Sequence, residues 1–92
     1  MVTWINVYGT LQYYFPENHF SIDLPEGARV IDLFQSIEER FGLHLPEHLW
    51  NWEKHCFRES VLVVIDQVDI HDELMTLSDG QEIALITPVH GG

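Results

Sequence analysis

Apolar and polar positions alternate at the start of the chain. Over Val2–Tyr8, Ile5 and Val7 fall on one side, with Val2, Trp4 and Tyr8 on the other. Apolar groups on both faces predict a largely buried strand. Pro16–Asn18 supplies turn residues. After it, His19–Leu24 sets Phe20, Ile22 and Leu24 against Ser21 and Asp23, the pattern of a half-buried strand. The short gap predicts a hairpin between the two. Pro25-Glu26-Gly27 breaks the chain, and from Ala28 the period becomes helical. Val30, Leu33, Phe34, Ile37 and Phe41 form one stripe, with Asp32, Glu38, Glu39 and Arg40 facing outward. Gly42 offers a left-handed stop.

The second half is less regular at first. Pro46 can open a second, shorter helix, which would align Leu45, Leu49, Trp52 and Cys56. Val61–Ile65 reads VLVVI, a run typical of a central strand. Asp66-Gln67 turns the chain into a short strand at Val68–Ile70, and His71–Leu77 reads as a brief helical turn or loop. Ser78-Asp79-Gly80 is a turn signal. Gln81–Thr87 is a final strand, with Ile83 and Leu85 facing opposite Ala84 and Ile86, and Pro88 ends the pairing because it has no donor. The predicted fold is α+β: a mixed four- to five-stranded sheet with one main helix laid on it. An opening hairpin, a helical crossover and a return to the sheet describe the β-grasp (ubiquitin-like) arrangement. Residues 1–88 form the domain, and residues 89–92 form a flexible tail beyond it.

Composition narrows the partners. Ninety-two residues allow one domain. Fifteen acids against four bases give a formal charge of −11. Nucleic acids and anionic membranes bind proteins through Lys and Arg, which are scarce here, so neither is an expected partner. A basic protein surface is. The sequence predicts a cytoplasmic chain: there is no signal peptide at the start, and no apolar run nears the ~20 residues that span a bilayer. The one thiol, Cys56, forbids an intramolecular disulfide and suits a reducing compartment. Only one lysine exists, Lys54.

The chemistry points to the end of the chain. Gly91 and Gly92 would let a terminal carboxylate enter a narrow cleft, because glycine permits close backbone approach. A free carboxylate is a poor electrophile and needs activation, for instance as an acyl-adenylate made from ATP. The last stretch, LSDGQEIALITPVHGG (Leu77–Gly92), has an Asp79-Gly80 turn, Glu82, the Ile83-Ala84-Leu85-Ile86 strand, Pro88, Val89 and Gly91-Gly92. In these features it resembles the C-terminal signature of the MoaD/ThiS ubiquitin-like sulfur-carrier family, nearest to its molybdopterin synthase small-subunit branch. VLVVIDQ (Val61–Gln67) is similar to that family's central strand and turn.

The resemblance implies a carrier with no bound cofactor, not an enzyme in its own right. An E1-like adenylyltransferase would use ATP to adenylate Gly92, which would then become a thiocarboxylate. Its sulfur would pass to the dithiolene of the molybdenum or tungsten cofactor, inside a molybdopterin synthase whose large subunit is the catalytic one. Gly91 and His90 belong to the tail, and Tyr8, Val68 and Ile86 are the implied partner-binding residues. Thr87 departs from the first of two prolines usual in that branch, Asp66 from a common Asn, and Gln81 from a common acid. His90 before the glycines is similar to the eukaryotic ubiquitin-related modifier. Carriers for thiamine or tRNA thiolation are therefore alternatives, as are a modifier conjugated through Gly92 and a plain interaction domain.

Six histidines raise the question of a metal. His44, His48 and His55 would share a helical face only if a helix ran that far. His48 and His55 would then lie roughly 10 Å apart along its axis, against ligand bonds of ~2 Å. No metal site is predicted, and Cys56 is expected to act as a small buried hydrophobe.

Overall fold

A computed structural model describes residues 1–42 and 44–88. Seven strands and one α-helix follow in the order β1 (Val2–Gly9), β2 (His19–Asp23), α1 (Val30–Phe41), β3 (Trp50–Asn51), β4 (Cys56–Phe57), β5 (Leu62–Ile65), β6 (Val68–Asp69) and β7 (Glu82–Thr87). Five of the strands form one sheet in the order β2-β1-β7-β5-β6. The two central strands, β1 and β7, run parallel, while the β1–β2, β5–β7 and β5–β6 pairs are antiparallel. This is the mixed β-grasp sheet expected.

Alternation decides which face is covered. Thr3, Ile5 and Val7 of β1 are buried, as are Ile83, Leu85 and Thr87 of β7, Val63 and Ile65 of β5, and Phe20 and Ile22 of β2. These meet the stripe of α1, where Val30, Leu33, Phe34 and Ile37 are buried. The helix ends as its sequence requires. The Arg29 N–H donates to Asp32 Oδ2 at 2.8 Å, and Gly42 closes the C-terminus at φ 56°. Two N–H groups of the first turn, on Val30 and Ile31, donate to the carbonyls of Met75 and Glu73. The loop before β7 therefore caps the helix.

The opposite face of the sheet has no cover among the described residues. Val2, Trp4 and Tyr8 are exposed there, so β1 is not buried on both faces as its composition suggested. One helix can shield only one side of a sheet.

A larger departure lies at 44–57. No helix follows Pro46. A turn leads instead into the two-stranded hairpin of β3 and β4. The Asn51 side chain accepts from the N–H groups of Glu53 and Lys54, both at 3.0 Å, and His55 takes a left-handed φ of 54°. Such a side chain competes with helical hydrogen bonds. The hairpin buries Trp50 against Phe57, with ring centroids 4.8 Å apart, and both pack edge-on to Phe34 of α1. The Trp-rich segment is thus a second layer of core. His71–Leu77 forms turns and a loop without a helix. The chain between β1 and β2 contains a 3-10 helix at Thr10–Tyr14 that the alternation did not announce.

Candidate functional site

The parallel pairing of β1 and β7 builds the site. It sets Tyr8 opposite Ile86 and Gly9 opposite Thr87 at the end of the sheet where β7 runs out. Tyr8 and Ile86 both point to the uncovered face, because Val7, Leu85 and Thr87 point to the core. Tyr8 is 48% exposed and Ile86 partly so. Leu62 of β5 lies opposite Ile86, and Val64 opposite Ala84. These five side chains make one apolar area across three strands. A shallow depression of about 390 Å³ between Tyr8, Val64 and Ala84 is edged by Asp66, Gln67 and Glu82. Further along β1, Trp4 stacks on His19 at 5.4 Å, and the His19 Nδ1–H donates to Asn6 Oδ1 at 2.6 Å.

Val68 lies elsewhere. Its partner in the ladder is Ile65, whose side chain is buried. Opposed residues of an antiparallel pair share a face, so Val68 belongs to the helix side, at the outer edge, 58% exposed. The structure therefore brings Tyr8 and Ile86 together and leaves Val68 apart. Leu62, Val64 and Ala84 share the face of Tyr8 and Ile86, and the sequence reading did not select them. The signal for them was parity: each is an even-numbered position in a strand whose odd positions are core.

The rim is acidic. Asp66, Asp69 and Glu82 are exposed along it. The turn between β5 and β6 holds Asp66 and Gln67 at positive φ, 50° and 70°, as both central residues of a tight two-residue hairpin require. Among polar side chains, Thr3 and Thr87 are buried. Thr87 is the last residue of β7, and its hydroxyl accepts the Leu11 N–H at 2.9 Å. Pro88 follows, exposed. Gly92, Gly91 and His90 lie outside the described residues.

The histidines do not gather. His55 Nδ1 pairs with Glu38 at 2.9 Å and His71 Nε2 with Asp69 at 3.4 Å. No group of three or more His, Cys, Asp or Glu side chains suited to a metal occurs among the described residues. Cys56 is buried in the core cluster. Burial pushes its thiol pKa up, and the neighbouring Glu73 carboxylate adds to the rise. A thiol held protonated is a weak nucleophile. No described helix is long and apolar enough to cross a membrane.

A mixed sheet with one covering helix and one bare apolar face defines a ubiquitin-like, β-grasp protein. The ThiS family model matches residues 5–92, and the chain belongs to that family, the MoaD/ThiS group of ubiquitin-like proteins. Among curated proteins none matches this chain in sequence. Solved structures share the fold. SAMP1 of Haloferax volcanii, the small archaeal modifier protein 1, is 16% identical with a TM-score of 0.83, each chain covered in full. A Pyrococcus furiosus protein named as a candidate molybdopterin converting factor, subunit 1, is 22% identical with a TM-score of 0.75, over 96% of this chain and 98% of that one. A chain from the complex of subunits 1 and 2 of the Helicobacter pylori molybdopterin-converting factor is 19% identical with a TM-score of 0.56, each chain covered in full.

Proposed function

We propose that this protein is a sulfur carrier for molybdopterin assembly, charged at Gly92. One observation carries the reading. The strand that ends at Thr87 lies beside β1 in the middle of the sheet, so the described chain, which stops at Pro88, reaches the border of the bare apolar face. A partner seated on Tyr8 and Ile86 has the glycines within reach of its own active site. Five residues beyond Thr87 extend at most about 18 Å.

The chemistry needs no catalytic side chain from the carrier. An E1-like partner binds ATP. The Gly92 carboxylate attacks the α-phosphorus, pyrophosphate leaves, and an acyl-adenylate forms. A hydrosulfide equivalent from a sulfur donor then attacks the acyl carbon, a C–S bond forms and AMP departs. The thiocarboxylate is delivered to a larger acceptor subunit of the molybdopterin synthase type. The acidic rim favours basic docking surfaces on both partners, and the protonated, buried Cys56 does not compete for the activated carbonyl. Intact mass after incubation with activating enzyme, ATP and sulfide should rise by about 16 Da, the exchange of oxygen for sulfur. Deleting Gly92 should abolish the rise and leave the melt unchanged.

The likeness to small archaeal modifier protein 1 supports a second reading, attachment of Gly92 to amines of other proteins. The same adenylate would then be attacked by a lysine Nζ, and adducts linked to targets would replace the 16-Da product.

A further inference from the structure

Thr87 stands where β-branched packing alone would be served as well by valine. Its side chain is buried in the sheet core, 5% exposed, yet it carries a hydroxyl. That hydroxyl accepts the N–H of Leu11 at 2.9 Å and hydrogen-bonds the Thr10 hydroxyl at 2.9 Å. Leu11 is itself fully buried and is the second residue of the 3-10 helix after β1. Across the ladder sits Gly9. A Cβ there would lie 2.2 Å from the Thr87 carbonyl oxygen and 2.7 Å from its Oγ1. Gly9 thus lets the strand ends approach, and Thr10 and Leu11, the next two residues, both bond to the Thr87 hydroxyl. The β7 ladder ends at this residue, and Pro88, which has no N–H, cannot extend it.

We infer that Thr87 is a positioning residue, whose hydroxyl clamp fixes the point from which the carrier's last residues are presented to the activating enzyme. The inference rests on the carrier reading above. With the clamp closed, five residues separate a fixed anchor from the Gly92 carboxylate. With it open, the strand end at Thr87 frays and the anchor retreats to Ile86, which stays in the ladder with Tyr8 and Leu62. The carboxylate then samples a larger volume around the same docked face, and its effective concentration at the ATP phosphate falls. Docking uses Tyr8 and Ile86 and is untouched, so the loss belongs in kcat and not in KM.

The test compares wild type, Thr87→Val and Thr87→Ser. It reads kcat and KM for ATP-dependent thiocarboxylate formation, and hydrogen exchange at the Leu11 amide. Thr87→Val keeps the shape and should lower kcat about tenfold with KM within about twofold, while the Leu11 amide exchanges faster. Thr87→Ser should restore both. Wild-type kcat in Thr87→Val, or failure of Thr87→Ser to restore it, overturns the proposal and leaves a merely structural hydroxyl. Should Thr87→Val fail to fold, Thr10→Val removes one of the two bonds from an exposed position and should lower kcat by about two- to threefold; no change overturns the clamp. If wild type gains no 16 Da, the carrier reading falls and the clamp's function with it. An unchanged Leu11 exchange rate in Thr87→Val shows instead that the clamp itself does not exist.

Discussion

Gly9→Ala tests the packing that holds the ends of β1 and β7 together. Two costs add. The first is conformational: Gly9 sits at φ 73° and ψ −155°, a region essentially reserved for glycine, where a side chain costs about 1–3 kcal/mol. The second is steric. The added methyl meets the Thr87 carbonyl oxygen at 2.2 Å, and that oxygen belongs to a backbone held in the ladder. Relief requires the ends of β1 and β7 to part, which strips the Leu11 N–H of its acceptor. A buried donor left unpaired costs about 1–3 kcal/mol. Together the two reach about 4 kcal/mol, much of the 5–15 kcal/mol that holds a small domain. At about 4–8 °C per kcal/mol, the melt should fall by about 16 °C or more. Urea unfolding followed by fluorescence of the buried Trp50 measures it directly. Gly27→Ala is the control. Its φ is 84°, but nothing lies within 4 Å of the added Cβ, so only the conformational cost of about 1–2 kcal/mol applies. A Gly9→Ala variant no less stable than Gly27→Ala would refute the reasoning.

Three further outcomes follow from the same structure. Ile86→Asp places a charge in the bare face without touching the core; it should raise KM for activation at least tenfold, equivalent to about 1.4 kcal/mol of lost binding, while Val68→Asp, on the helix side, should raise it far less. Trp50→Ala empties the layer between β3, β4 and α1 and should cost about 3–5 kcal/mol in chemical denaturation, whereas a loop-like role for this segment would cost almost nothing. The Cys56 thiol is raised by burial and by Glu73, so the unfolded chain loses this proton first as pH climbs. Stability should therefore be undiminished below the ordinary thiol value of about 8.5 and decline as pH rises through the folded value; Cys56→Ala should remove that slope from urea midpoints taken between about pH 7 and 10.

The elements read most clearly from the sequence are those whose pattern is local. The stripe from Val30 to Phe41 and the stop at Gly42 are legible because a helix buries one side of itself at its own period. β2 is legible for the same reason at period two, and β5 and β7 as short apolar runs bounded by turn signals. Segment 44–57 misled, because Leu45, Leu49, Trp52 and Cys56 fit a helical stripe as well as they fit a hairpin. The Asn51 side chain and the burial of Trp50 against Phe34 broke the tie, and neither is visible in periodicity. The parity of Leu62, Val64 and Ala84 was available, but a face cannot be called bare until it is known how many helices the chain has to cover it.

What the amino-acid order determined alone is the inventory: a hairpin, one amphipathic helix, a short strand pair, a closing strand and two glycines after it. Each follows from a side chain's need to leave water within a few residues of its neighbours. Only the tertiary structure decided that the first and last strands lie side by side and parallel, that Tyr8 meets Ile86 while Val68 does not, and that a buried threonine hydroxyl is gripped from Thr10 and Leu11. Those contacts join positions more than seventy residues apart. They depend on how whole elements pack to close one core, and no local period encodes that.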